Sequence, residues 1–319
     1  MKIFLITSPK PRLGKTSLLS GLSKVLIDKG KNVKIVSSIF SNSNNNVLNS
    51  EIFPENVVES GVLNRNGSTV DSDDFKKIRD LVDSFKDTSD YCFVESNLDS
   101  NESNNDLSKT LNSESILIID YSNKIKSQIQ NHKENIFGII INNVPKFRMN
   151  KIDNDLLDSL TQDGFNVIGT IPEDRCLLSC TVEQLCEHIE GKFIHKTSNV
   201  DSLVENILIG GMVLDWSVHY FSSLINVAAI IRGDRPDLQL GALQSGKVKV
   251  LILTKGIEPI EYVYYEAQKL NIPIVLCDKD TKETVSLLEN LYGTSNFNHP
   301  DKLKRISDLV STNCNMQLF

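Results

Sequence analysis

Gly14-Lys15-Thr16 is the tripeptide of this chain that carries the most chemistry. It follows the apolar run Lys2-Ile3-Phe4-Leu5-Ile6-Thr7 and the short segment Ser8-Pro9-Lys10-Pro11-Arg12-Leu13, and it opens a helical pattern. A strand, a tight loop and a helix start, in that order, make a cradle for a polyanion. Backbone N–H groups and the positive end of the helix face the phosphates, a lysine reaches the terminal ones, and a hydroxyl can bind Mg²⁺. Lys15 and Thr16 hold those two positions, and Leu13, Gly14 and Ser17 complete the phosphate-binding set. The expected ligand is a nucleoside triphosphate, ATP first, with Mg²⁺. In the pattern G-x-x-x-x-G-K-[ST] the first glycine falls on Pro9, so the loop departs from the common form at one corner. Lys10 lies five residues before Lys15 and is a second cation on the loop, able to reach a phosphate across a dimer interface or to stay solvated.

Three further strand ends hold polar groups. Tyr91-Cys92-Phe93-Val94-Glu95 is an apolar strand closing on a carboxylate, and beside a phosphate loop Glu95 can hold Mg²⁺ together with Thr16. Lys15 and Glu95 are the catalytic candidates, with Lys15 stabilising charge on a transferred phosphoryl group. Phe137 to Ile141 leads into Asn142-Asn143-Val144-Pro145, where Asn142 can either read an adenine edge or serve turn chemistry before the proline. Val167 to Asp174 passes through Pro172, which could close over the base or make a plain turn. Later in the chain, Arg232-Gly233-Asp234-Arg235-Pro236-Asp237 and Thr254-Lys255-Gly256 form two polar turns at one sheet edge. Capping of the following helix by Asp234 accounts for the first, and a small-anion or interface site is the alternative.

The elements that must position these groups alternate between strand and helix, which implies parallel sheets flanked by helices, an α/β class. Strands are expected at 2–7, 33–37, 91–95, 115–120, 136–141 and 166–169, with helices near 14–29, 73–86, 122–131, 152–162 and 181–188. A pause at Gly191 to Ser202 divides the chain into residues 1–192 and 200–319. The second part repeats the alternation on a smaller scale, with strands at 206–212, 227–231, 248–253 and 273–277 and helices near 215–224, 235–244, 258–269 and 281–291. Two tracts rich in Asn and Ser, Ser41 to Ser50 and Asp99 to Ser108, each follow the C-terminal end of a strand and read as flexible surface insertions, with ligand loops as the alternative.

Composition narrows the classes. The 319 residues are 40% hydrophobic and 24% charged, with net charge −7 and a pI near 5.4. That balance argues against a broad nucleic-acid or anionic-membrane surface. No apolar run is long enough for a bilayer, and the first residues form a strand pattern in place of a leader. Six scattered cysteines match no zinc spacing and read as reduced thiols, so a cytoplasmic setting is expected.

On these residues the chain resembles a known two-domain arrangement. Gly14-Lys15-Thr16, the strand ending at Glu95, the Gly138 to Pro145 strand and Val167 to Asp174 are similar to the dethiobiotin-synthetase-like P-loop domain at the N-terminus of long phosphotransacetylases. Gly233-Asp234-Arg235, Leu251 to Gly256 and Glu258-Pro259 are similar to the DRTGG domain that follows it there. The resemblance implies a P-loop NTPase-type sheet with a smaller DRTGG-type regulatory domain, and a Mg-ATP-binding regulatory protein with slow or partner-stimulated hydrolysis. A homo-oligomer and a metabolic-enzyme partner go with that reading. The alternatives are an ATP-dependent synthetase that phosphorylates a carboxylate or carbamate, and a scaffold with a vestigial loop. Dethiobiotin synthetases carry a lysine where this chain has Ser37-Ser38, and Lys255 replaces one glycine of Thr-Gly-Gly. With the acyltransferase region absent from these 319 residues, acetyl transfer is not expected.

Overall fold

A computed structural model describes residues 1–40, 53, 58–63, 72–96, 98, 101–122, 125–130, 135–149, 156–212, 216–289, 291, 295 and 297–319. The chain forms two compact units, Met1–Asp174 with Phe297–Phe319, and Arg175–Asn296. The tract Ser41 to Ser50 lies outside the described residues.

The first unit is built on a seven-stranded, wholly parallel sheet. Its strands are β1 (Lys2–Thr7), β2 (Val33–Phe40), β3 (Val58–Leu63), β4 (Tyr91–Glu95), β5 (Glu114–Asp120), β6 (Ile136–Val144) and β7 (Val167–Pro172), in the order β3-β2-β4-β1-β5-β6-β7. Helices cover parallel sheets on both faces, so the strands read as unbroken apolar runs: all five residues of β4 are buried, as are the last four of β1. The helices are α1 (Lys15–Asp28), α2 (Ser72–Asp83), α3 (Asn101–Leu111), α4 (Ile125–Gln130) and α5 (Leu157–Gln162). Helix α3 corrects the reading of Asp99 to Ser108 as an insertion. Leu107 and Leu111 enter the core, and buried Asn104 accepts a hydrogen bond from Ser96 Oγ, so a polar tract forms an ordered layer. The strand order reverses around β1, which places the loop after β1 where open α/β sheets bind ligands.

The second unit begins at α6 (Arg175–Leu178), β8 (Cys180–Thr181) and α7 (Val182–His188). Helix α7 starts with a reciprocal Thr181–Gln184 capping box. Next come β9 (Lys192–His195), β10 (Leu203–Val204), β11 (Asn206–Gly210), α8 (Ser217–Phe221), β12 (Val227–Arg232) and α9 (Pro236–Gln244). The unit continues through β13 (Val248–Thr254), α10 (Glu261–Lys269), β14 (Ile274–Leu276) and α11 (Thr281–Leu288). The sheet order is β11-β12-β13-β14-β9, with β9 antiparallel to β14. Consecutive parallel neighbours need helical crossovers, and α8, α9 and α10 share one core around Phe221, Leu238, Ala242, Val263 and Ala267. Helices α7 and α11 cover the other face through Val182, Leu185 and Leu288.

Two expectations about domain limits change. The pause at Gly191 to Ser202 contains β9, an edge strand of the second sheet, and the helix at 182–188 packs on that sheet too, so the second unit starts near Arg175. The C-terminal residues also leave the second unit. Helix α12 (Pro300–Asn313) packs along α1, where Ile306 and Val310 lie so near Gly21 that a Cβ there would be 3.0 Å from each. This second contact explains why Ser20, Gly21 and Ser23 of α1 are buried along with its leucine stripe: small residues let two helices approach. Past α12, Cys314 bridges Gly169, and Asn315 N donates to Ile168 O at 2.7 Å. The Phe319 ring closes on Phe4, Phe137 and Phe93 at 5.4, 5.6 and 6.3 Å. Arg305 of α12 donates two hydrogen bonds to buried Asp174 Oδ2, at 2.9 and 2.7 Å. Among the described residues no helix is long and apolar enough to cross a membrane.

Candidate nucleotide site

The loop between β1 and α1 turns on left-handed residues. Arg12 has φ 60° and Gly14 has φ 85°, and Pro9 is not among the positive-φ positions. The loop therefore makes its left-handed turns at Arg12 and Gly14, and a proline at position 9 carries no conformational penalty of the kind a missing glycine implies. Left-handed Gly14 followed directly by helical Lys15 is the alternation that makes successive N–H groups converge on one point. No side chain caps α1, and its first turn holds no acidic residue of its own, so no side-chain cap occupies that convergence. Leu18 N takes Gly14 O at 3.0 Å as the first helical bond, and Ser17 Oγ turns back onto the same carbonyl at 3.1 Å.

Thr16 and Glu95 meet. Thr16 Oγ1 donates to Glu95 Oε1 at 2.5 Å, across 79 residues of sequence, because β4 pairs with β1 in parallel and brings Glu95 opposite Ile6. Glu95 is buried, and burial pushes its carboxyl above the ordinary value; the Thr16 hydrogen bond and the nearby Lys15 charge act in the opposite direction. A desolvated carboxylate that leans on one hydroxyl and one lysine is a strong acceptor for a cation. Mg²⁺ suits this donor set, since it takes one or two protein oxygens and fills its shell with phosphate and water. Among the described residues no cluster of three or more His, Cys, Asp or Glu gathers as an all-protein metal site.

Asn142 holds the loop in shape. Its Nδ2 donates to Leu13 O at 2.9 Å, and a Cβ on Gly14 would lie 2.5 Å from the same nitrogen. The side chain is buried and one amide hydrogen faces the loop, so bracing is a geometric fact of this residue, where the sequence offers base reading or turn chemistry. Pro172 ends β7, three strands from β1, and sits beside Val144. Lys10 is exposed, and its carbonyl accepts from Ser8 Oγ at 2.6 Å. Asp120, absent from the residues expected at the site, ends β5 next to Asn142 and accepts from Asn143 Nδ2 at 3.2 Å. The signal was available: an apolar strand beside β1 closing on an acid, as at Glu95.

In the second unit the two polar turns adjoin, with Gly233 N bonded to Thr254 O at 3.2 Å. Asp234 does not cap α9. It pairs with Arg232, whose Nε lies 2.9 Å away, and Arg235 occupies the helix start with no side-chain cap. Arg235 instead grips Asp237 through Nε at 2.9 Å and Nη2 at 2.7 Å, and also donates to Met212 O at 3.1 Å. Each guanidinium holds its acid partner below the usual carboxylate range. Both arginines are thus matched by acids two residues away, which blunts the edge as an anion site.

Residues 184–291 match the DRTGG domain, and the second unit carries that domain. The chain is 26% identical over 165 residues to a phosphate acetyltransferase of Synechocystis sp., covering 49% of this chain and 23% of that protein. It is 24% identical over 255 residues to the phosphate acetyltransferase of Buchnera aphidicola, covering 67% of this chain and 35% of that protein. It spans about a quarter to a third of the length of these curated relatives. The MinD cell division protein of Aquifex aeolicus aligns over 56% of this chain and 85% of its own, at 14% identity and a TM-score of 0.39.

Proposed function

We propose that this P-loop-type α/β unit joined to a DRTGG domain binds Mg·ATP and serves as a nucleotide-dependent regulatory protein, with slow or partner-stimulated hydrolysis. The observation that carries the reading is the uncapped start of α1 with Thr16 and Glu95 2.5 Å apart beside it. Glu95 is committed to Thr16, which suits a metal-holding carboxylate better than a base that activates water. Similarity to part of the phosphate acetyltransferases supports a role beside acetyl-phosphate metabolism, with a metabolic enzyme as partner. Calorimetric titration with ATP tests this. Binding should need Mg²⁺ for full affinity, and Lys15→Ala should weaken it at least tenfold, since it removes a charge-assisted contact to phosphate. Equal affinity in wild type and variant rejects the loop assignment. Fast turnover upon addition of a small carboxylic acid favours the synthetase reading over regulation.

The same proposal includes self-association through the second unit. Apart from Met1 and Phe147, every exposed large hydrophobic residue described belongs to that unit. Trp216, beside α8, and Tyr262 and Tyr265 on α10 are 60–63% exposed, and α9 packs against both helices. Val218, Ile257 and Ile260 are exposed in the same unit, so its solvent-facing apolar side chains are the ones available to a second copy of this chain. Sedimentation should show a dimer that Tyr265→Glu with Trp216→Glu dissociates; a wild-type monomer at high concentration contradicts it.

A further inference from the structure

Phe147 is 78% exposed, the most exposed large hydrophobic side chain among the described residues. It sits at the apex of a single 3-10 turn, Lys146–Arg148, directly after β6. The turn is anchored on both sides. Arg148 N donates to Pro145 O at 2.7 Å, Glu173 N donates to Val144 O at 2.8 Å, Val144 is fully buried, and Met149 packs into the core beside it. An aromatic ring held out in water on a fixed turn gains nothing for folding. Its surroundings suggest what it is for: the Arg148 guanidinium lies over the ring at 5.4 Å, and Lys146 precedes it. One ring face is backed by a cation, which leaves the other for a flat partner.

The turn also lies on the correct edge of the sheet. Asn142, on the same strand, touches the phosphate loop at Leu13 O and Gly14. Phe147 follows five residues later, so its Cα lies within about 18 Å of that of Asn142. A triphosphate seated at Gly14 to Thr16 leaves its nucleoside to lie over the C-terminal ends of the strands beside β1, and β5 and β6 are the neighbours on the side that Asn142 braces. We propose that Phe147 is the stacking platform for the base of the nucleotide whose phosphates the loop holds, with Arg148 backing the ring and Lys146 adding positive charge. The inference rests on the nucleotide reading above and adds a residue to it: a face that accepts any planar heteroaromatic base, since stacking does not discriminate by hydrogen bonding.

Calorimetry on the full chain separates the base from the phosphate tail. ATP, GTP and inorganic tripolyphosphate, each with Mg²⁺, are titrated into wild type, Phe147→Ala and Phe147→Trp. Loss of a stacking partner should weaken ATP and GTP about tenfold or more in Phe147→Ala, while tripolyphosphate binds within about twofold of wild type and Phe147→Trp keeps nucleotide affinity. Because the ring is exposed, the variant should melt with wild type, and a matched melting curve verifies the fold. Unchanged nucleotide affinity in Phe147→Ala, or an equal loss for tripolyphosphate, overturns the platform alone. Wild-type protein that binds neither nucleotide nor tripolyphosphate overturns the platform and the nucleotide reading together.

Discussion

Gly14→Ala is the substitution whose cost the structure defines most fully. The new Cβ would lie 2.5 Å from Asn142 Nδ2 and 3.3 Å from Ser17 Oγ, on a backbone held at φ 85°. A left-handed conformation costs an L side chain about 1–2 kcal/mol. Relief of the contact requires Asn142 to leave Leu13 O, a buried hydrogen bond of about 1 kcal/mol. Together these destabilise the first unit by about 2–3 kcal/mol, which lowers its melting temperature by roughly 5–10 °C. The two units can be followed apart, because the one tryptophan, Trp216, lies in the second. Far-UV circular dichroism should show an earlier transition in the variant, while Trp216 fluorescence stays as in wild type. A double-mutant cycle isolates the contact. With Asn142→Ala as the second substitution, the clash and the lost bond are counted once, so the pair should cost about 1 kcal/mol less than the sum of the singles. Additivity within about 0.5 kcal/mol would refute the packing of Asn142 on Gly14, and with it the reading of Asn142 as the brace of the loop.

Other expectations follow from the same coordinates. Glu95 keeps its proton to a higher pH in the folded state than in the unfolded chain, so its contribution to stability is present at low pH and lost as pH rises from its ordinary value of 4.5 through the raised folded value. Glu95→Gln should therefore melt close to wild type near about pH 4 and become relatively more stable towards about pH 8, while losing Mg²⁺-dependent nucleotide affinity; a constant difference across that range contradicts the buried, titrating carboxylate. Gly169→Ala would put a Cβ 2.4 Å from Asn313 O and 2.6 Å from Cys314 Sγ, so the tail after α12 must detach at a cost of about 1–3 kcal/mol, read as new protease cleavage after Asn313. Lys255 has φ 69°, in the left-handed region that favours glycine, and Lys255→Gly should raise the stability of the second unit by about 1 kcal/mol in urea unfolding.

The sequence was most legible where local rules act alone. The strand, loop and helix around Gly14-Lys15-Thr16 fall where periodicity puts them, and β4 ends at Glu95 as its apolar run implies. The meeting of Thr16 with Glu95 was also readable, because a parallel sheet aligns the C-terminal ends of neighbouring strands. Long-range contacts left no local mark. Nothing in Pro300 to Phe319 says that α12 returns to α1, since an amphipathic helix fits either sheet; Gly21 was the one hint, a small residue on a face that had no stated neighbour. Side-chain competition also escaped. Asp234 has the right type and place to cap α9, but Arg232 two residues earlier offers it a charged partner. Asn142 reads equally as a base contact or as turn chemistry, and its contact with the loop needs the sheet order that brings β6 close. Asp99 to Ser108 looked unstructured by composition, yet Leu107 and Leu111 suffice to seat a helix whose other buried positions are polar.

The backbone amides of Gly14, Lys15 and Thr16 give the most direct test of the phosphate cradle. In ¹⁵N-labelled protein, inorganic tripolyphosphate with Mg²⁺ should shift these three resonances first and most, with Thr16 and Glu95 responding further to the metal. Resonances that stay still at millimolar tripolyphosphate in a folded sample, or that move no more than those of the exposed loops, would contradict the account at its root.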